Sequence, residues 1–151
     1  MTSRDDSTIL LGTGTGRSNV GGVGFIINSK WSKSIISYEI RSPRTGWLLL
    51  RLNASVTMKI VQTYAPTSTS DDDEVEDFYN ELDNIMEKKS THTIVMGDFN
   101  AKIGRGKEGE KYIGRQGIGK RNERGDRLAM MVETKKLYAG NSWFRKNAKH
   151  R

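Results

Sequence analysis

One amphipathic helix held between two short apolar runs constrains this chain more than any other feature. Val75, Phe78, Tyr79, Leu82, Ile85 and Met86 recur at intervals of three and four, which puts them on a single helical stripe. The run before them, Ile60-Val61-Gln62-Thr63, ends in Tyr64-Ala65-Pro66-Thr67, where Pro66 lacks a ladder donor and stops the strand. The run after them, Thr93-Ile94-Val95-Met96, leads straight into Gly97-Asp98-Phe99-Asn100. A strand–helix–strand crossover makes the strands parallel and puts both C-terminal ends on one edge. Ligand sites of α/β sheets gather at that edge. Tyr64, Thr67, Asp98 and Asn100 are therefore expected to converge.

The residues at that edge suit phosphate chemistry. Period-two alternation aims Asp98 and Asn100 to one side and turns Phe99 the other way. A carboxylate can take a proton from water, while an amide NH2 donates to a phosphoryl oxygen or to the nucleophile. Taken alone, these four residues also fit an Asx-turn closing a strand. The second motif, on a strand expected to lie parallel, moves the balance toward a site.

The remaining pattern is that of an α/β chain. Strands are expected near 22–28, 34–41, 46–53 and 56–64, successive and antiparallel, with turns at Ser42–Gly46 and Asn53–Ser55. Trp31 and Trp47 read as packing residues. Thr69 or Ser70 can cap the central helix, and the acids Asp71 to Glu74 complement the positive end of its dipole. Lys88 and Lys89 suit the other end. Asp77, Glu81 and Glu87 fall off the apolar stripe and read as a solvated face. Residues 1–20 read as a flexible segment and 21–151 as the domain. The Gly12–Gly16 run has no preceding strand and no Gly-Lys-Ser/Thr, so it is not a phosphate loop.

After Asn100 comes a long loop with glycines at 104, 106, 109, 114, 117 and 119, a length that marks function or disorder. Asn122 can cap the next helix, whose inward face is Leu128, Met131, Val132 and Lys135 or Lys136. A last strand is expected near Leu137–Phe144. His92 reads as structural, and His150 sits in a basic tail.

Charge and composition bound the partners. The chain has no cysteine, so disulfides and thiolate metal sites are excluded. It has no secretory pattern at its start and no apolar run of the roughly 18–20 residues needed to span a bilayer. These features point to the nucleus or the cytoplasm, with no membrane partner and no organic cofactor. Net charge is +7, and Lys and Arg dominate from Lys102 onward. Arg105, Lys107, Arg121 and Arg124 are candidate contacts to a polyphosphate backbone, with a solvated basic surface as the alternative. Tyr112 alone interrupts this basic loop, so a base-stacking platform is not expected.

A strand ending in Tyr-Ala-Pro-Thr, an acidic helix, and a strand ending in Gly-Asp-Phe-Asn-Ala-Lys-Ile-Gly resemble the endonuclease/exonuclease/phosphatase superfamily. Within it the chain is most similar to the apurinic-type endonuclease domain of non-LTR retrotransposons. Gly21–Asn28 resembles the family's early strand, and Arg121–Gly125 its later segment. The resemblance implies a two-sheet α/β sandwich, Mg2+ (or Mn2+) as cofactor and DNA as partner. Asp98 would orient or deprotonate the attacking water, Asn100 would hold that water or the scissile phosphate, and Tyr64 would support the phosphate. Thr67 and Asn122 would approach the substrate, and Asp98 with Asn100 would contribute to the metal site. Two departures stand out. The family's metal-binding Glu lies before the Gly-Gly-Val-Gly-Phe strand, where this chain has only Asp5 and Asp6. No Ser-Asp-His motif follows Phe144. The expectation is thus a partial domain lacking both ends, either a Mg2+-dependent DNA endonuclease or an inactive remnant that binds nucleic acid. Such a fragment would expose apolar sheet around Phe25, Ile27, Leu48, Leu50, Ile60 and Val95, and leave strand edges unpaired.

Overall fold

The expected crossover is the backbone of the first half of the molecule. In the computed structural model, which describes residues 7–12 and 22–145, the chain divides into two units, Met1–Phe99 and Asn100–Arg151. In the first, β1 (Thr8–Leu11) and β2 (Gly24–Ile27) form an antiparallel pair. A single-turn helix, α1 (Ser29–Ser32), leads into β3 (Ile35–Ile40), β4 (Thr45–Arg51) and β5 (Thr57–Tyr64). Helix α2 (Asp72–Met86) then crosses to β6 (His92–Asp98). The larger sheet has the order β3-β4-β5-β6, antiparallel except for the parallel β5–β6 pair.

Register assigns the two faces of that sheet. Leu48 pairs with Ile60, and Leu50 with Met58, so these side chains share one face. There they meet the smaller sheet in a core of Leu10, Phe25, Ile27, Leu48 and Leu50, with Ile35, Ile40 and Ile60 packed around it. Alternate residues Thr45, Trp47, Lys59, Val61 and Thr63 are buried on the opposite face. Helix α2 lies on that side, burying Val75, Phe78, Tyr79, Leu82 and Ile85. Each such side chain contributes about 1.5–3 kcal/mol by leaving water. The result is a mixed α/β fold with two sheets and helices.

Polar contacts fasten α2 to the sheet. Lys59 is buried in β5, and its ammonium donates to the carbonyls of Ile85 (2.9 Å), Met86 (3.1 Å) and Lys88 (2.5 Å). It neutralises the negative end of the helix from below. Burial and the nearby Lys88 charge pull the Lys59 pKa down. The role expected of Lys88 therefore falls to Lys59, and the Lys88 ammonium sits 4.9 Å from the centre of the Trp47 ring. Glu81 is not on a solvated face either. Its carboxylate accepts from Ser42 Oγ at 2.8 Å and from Thr45 Oγ1, tying α2 to the β3–β4 turn. The helix cap is Asp71, which accepts from the Glu74 amide at 2.8 Å, rather than Thr69 or Ser70.

Other expectations need correction. Thr8–Leu11 is a strand, because the β2 backbone supplies its ladder. Strand β2 consequently pairs with β1 and not with β3. Residues 1–6 and 13–20, including Thr13–Gly16 of the glycine run, lie outside the described residues, as does His150. Trp47 is buried, with its indole NH on Glu39 at 3.0 Å, whereas Trp31 is exposed. Phe25, Ile27, Leu48 and Leu50 are buried between the sheets rather than bared. Apolar side chains left open in this unit include Leu11, Ile26, Ile36, Ile94 (45% exposed) and Met96 (46%), the last two on edge strand β6.

The second unit is a loop organised around one arginine. Arg121 pairs with Glu110 through Nη1 (2.5 Å) and Nη2 (2.8 Å), and donates to the carbonyls of Ile103 (2.6 Å) and Arg105 (3.3 Å). Helix α3 (Glu123–Thr134) follows, burying Leu128, Ala129, Met131 and Val132. Gly125 lets it approach closely, since a Cβ there would lie 1.9 Å from the Lys102 carbonyl oxygen. The expected strand near Leu137–Phe144 is absent. That segment holds a 3-10 turn, Gly140–Ser142, whose Ser142 hydroxyl accepts from the Gly114 amide at 2.7 Å.

Candidate functional site

The parallel register sets Tyr64 directly opposite Asp98. The Ala65 amide then donates to the Asp98 carbonyl at 2.8 Å, which closes the ladder where both motifs end. Gly97 makes this approach possible. Its φ is 141°, and a Cβ would stand 1.8 Å from the Thr63 carbonyl oxygen, so no side chain fits. Strand β6 therefore runs through the glycine to Asp98, which is exposed, while Tyr64 is half-buried. His92 opens the same strand at its exposed N-terminal end, opposite Met58 and six residues before Asp98.

A residue that the sequence did not nominate completes this edge. Arg44 lies in the turn before β4, and because Thr45 pairs with Thr63 that turn sits at the C-terminal end of β5. The guanidinium is 5.8 Å from the centre of the Tyr64 ring, donates to the Tyr64 carbonyl at 3.3 Å, and forms an ion pair with Glu74 of α2. Hydrogen bonds from Ser70 and Arg44 hold the Glu74 carboxyl below its usual range. The signal was present: a cation in a turn whose strand pairs with the motif strand.

Asn100 departs from the alternation that linked it to Asp98. The strand stops at Asp98, and Asn100 takes a left-handed backbone with φ 47°, a conformation asparagine tolerates better than most residues. Thr67 lies in the turn toward α2, its hydroxyl 2.9 Å from that of Thr69 and its carbonyl accepting from Ser70. Among the described residues no group of three or more His, Asp or Glu side chains is placed to hold a metal ion. Mg2+ calls for near-octahedral oxygen ligation. Asp98 and Asn100 by themselves do not fit a complete site.

The basic candidates divide by environment. Arg105 and Lys107 are exposed, and Lys107 pairs with Asp126 at 2.9 Å. Arg124 is half-buried in the first turn of α3. Arg121 is only 6% exposed, and its hydrogen bond to Glu110 raises its own pKa and lowers that of Glu110. Its fork grips the loop. Asn122 caps α3, its side-chain oxygen accepting from Gly125 (2.9 Å) and from Lys102 (3.0 Å). A cluster of rings, Tyr112, Tyr138 and Trp143, also lies in this unit.

The class defined by this geometry is a mixed α/β two-sheet fold with a carboxylate, a phenol and a guanidinium at one strand edge. Two curated proteins are similar to the chain, craniofacial development protein 2 of Tragulus javanicus and of Bos taurus. Each is 31% identical over 126 residues, which cover 82% of this chain and 21% of the relative. The chain thus spans about a fifth of the length of the curated relatives it matches. No family model matches it. No helix among the described residues is long and apolar enough to cross a membrane.

Proposed function

We propose that this chain is part of a Mg2+-dependent DNA endonuclease of retrotransposon type, and that by itself it binds DNA. The observation that carries the reading is the Tyr64–Asp98 pairing at the C-terminal end of the β5–β6 ladder, with Arg44 beside it. An exposed carboxylate there can accept a proton from water at a phosphodiester, and the Tyr64 phenol can donate to a phosphoryl oxygen. Arg44 acts as a positioning residue, holding the Tyr64 backbone and ring while Glu74 holds Arg44. Asp98 would contribute an oxygen to the metal, and no catalytic step is assigned to it.

DNA contact falls to the second unit. Its fifteen Lys and Arg outnumber its Asp and Glu threefold. Arg105, Lys107 and Arg124 are the contacts proposed, with Arg121 fixing the loop that presents them. Titration of the chain against duplex DNA over a range of salt tests this reading. Affinity should fall linearly on a log–log plot, because each neutralised phosphate releases counterions. Salt-independent binding, or none, would refute it. Plasmid nicking with Mg2+ tests the finer claim: Asp98→Ala should abolish any metal-dependent nicking, and nicking that survives the substitution would remove Asp98 from the mechanism.

A further inference from the structure

We propose that Tyr112, Tyr138 and Trp143 form a stacking platform for unpaired bases of single-stranded DNA. Tyr138 packs edge-on against both neighbours, its ring centre 5.3 Å from that of Tyr112 and 5.7 Å from that of Trp143. The Trp143 indole NH donates to the Tyr112 carbonyl at 3.2 Å, and that carbonyl also accepts from the Ala139 amide at 2.9 Å. Glu133 accepts from the amides of Lys111 (3.0 Å) and Tyr112 (2.7 Å), anchoring the Tyr112 backbone to α3. The Tyr112 backbone and the Trp143 indole are therefore held in place before any ligand arrives, with the Tyr138 ring packed between them. Yet Tyr138 remains 70% exposed and Trp143 43% exposed, far more than a core cluster leaves open.

Charge selects the occupant. Lys111 adjoins Tyr112, Lys136 lies two residues before Tyr138, and Arg145 two residues after Trp143, and all three are exposed. Glu133 faces the backbone there, accepting from the Lys111 and Tyr112 amides. An exposed aromatic surface with exposed cations one or two residues from each ring along the chain fits a polyanion that carries π-faces, and stacking on such surfaces tolerates any base. The ring cluster was not legible from the basic loop, where Tyr112 stands alone, because Tyr138 and Trp143 are distant from it in sequence. This inference rests on the DNA-binding reading above but uses none of the strand-edge residues.

The test is fluorescence anisotropy with the full chain and two labelled probes, an oligothymidylate and a spacer oligomer with the same phosphates and no bases. The oligothymidylate should bind more tightly. Tyr138→Ala should weaken it about tenfold, within the range of one lost base stack, and leave spacer affinity and salt slope unchanged. Tyr138→Phe should bind as the parent does. Tyr138→Leu keeps apolar bulk and so guards against misfolding, and it should lose affinity as the alanine variant does. Equal affinity for both probes would overturn the platform while DNA binding stands. Binding of neither probe would remove the underlying reading and the platform with it. Sedimentation showing that Tyr138→Ala converts a dimer to a monomer, with oligothymidylate affinity unchanged, would make the patch a self-association surface and overturn the proposal.

Discussion

The two units of this chain are built on different physics. Met1–Phe99 has ten Lys and Arg against thirteen Asp and Glu, while Asn100–Arg151 has fifteen against five. The first holds itself together by layers, with an apolar core between two sheets and an apolar helix stripe on the outer face. Among its described residues the second has one helix of substance and a long glycine loop gathered by the Arg121–Glu110 pair. A layered unit can place a strand edge with accuracy. A basic loop unit can follow a phosphate backbone but depends on a few polar contacts for its shape. The carboxylate of the candidate site stands on the first, and the surplus cations on the second.

That division predicts where single changes hurt most. Leu82 is fully buried under the first unit's sheet, and Leu82→Ala should cost about 2–5 kcal/mol in urea unfolding. A loss below about 1 kcal/mol would mean the layers are not what stabilises this unit. Lys59→Met should cost about 1.5–3 kcal/mol, because three carbonyls at the end of α2 lose a charged donor. If that variant is instead more stable, the buried ammonium costs more in desolvation than its bonds return.

In the second unit Arg121→Ala should leave Glu110 without its partner and cost about 1.5–3 kcal/mol, with increased amide exchange across residues 103–121. Unchanged exchange there would show that the loop is shaped by something else. The same pair sets a pH dependence. Hydrogen bonding from Arg121 holds Glu110 below the usual glutamate range, so it protonates more readily unfolded than folded. Its contribution is present above the unfolded value and is lost as pH falls through the folded one. Thermal unfolding followed downward from neutral pH should show this decline, and Glu110→Gln should flatten it. The smallest effect concerns binding: Arg105→Ala and Lys107→Ala should each lower the DNA salt slope by about one, alike for all sequences. A sequence-dependent loss would mean base contacts.

Periodicity and strand punctuation are local properties, and what depends on them was legible in advance. The α2 stripe, the parallel β5–β6 pair, the Asn122 cap and the inward face of α3 all follow from spacings of two, three or four residues. So does the meeting of the Tyr64 and Asp98 motifs at one edge, since a crossover helix leaves little choice of strand direction. Tertiary structure decided the rest. Thr8–Leu11 is a strand only because Gly24–Ile27 pairs with it. Lys59 reaches a helix end 26 residues away, Glu81 a turn 39 residues away, and Trp143 a carbonyl 31 residues away. Asn100 left the alternation because the strand had already ended at Asp98. A side chain's partner at such separations is set by how layers and loops close in space, which no local pattern encodes.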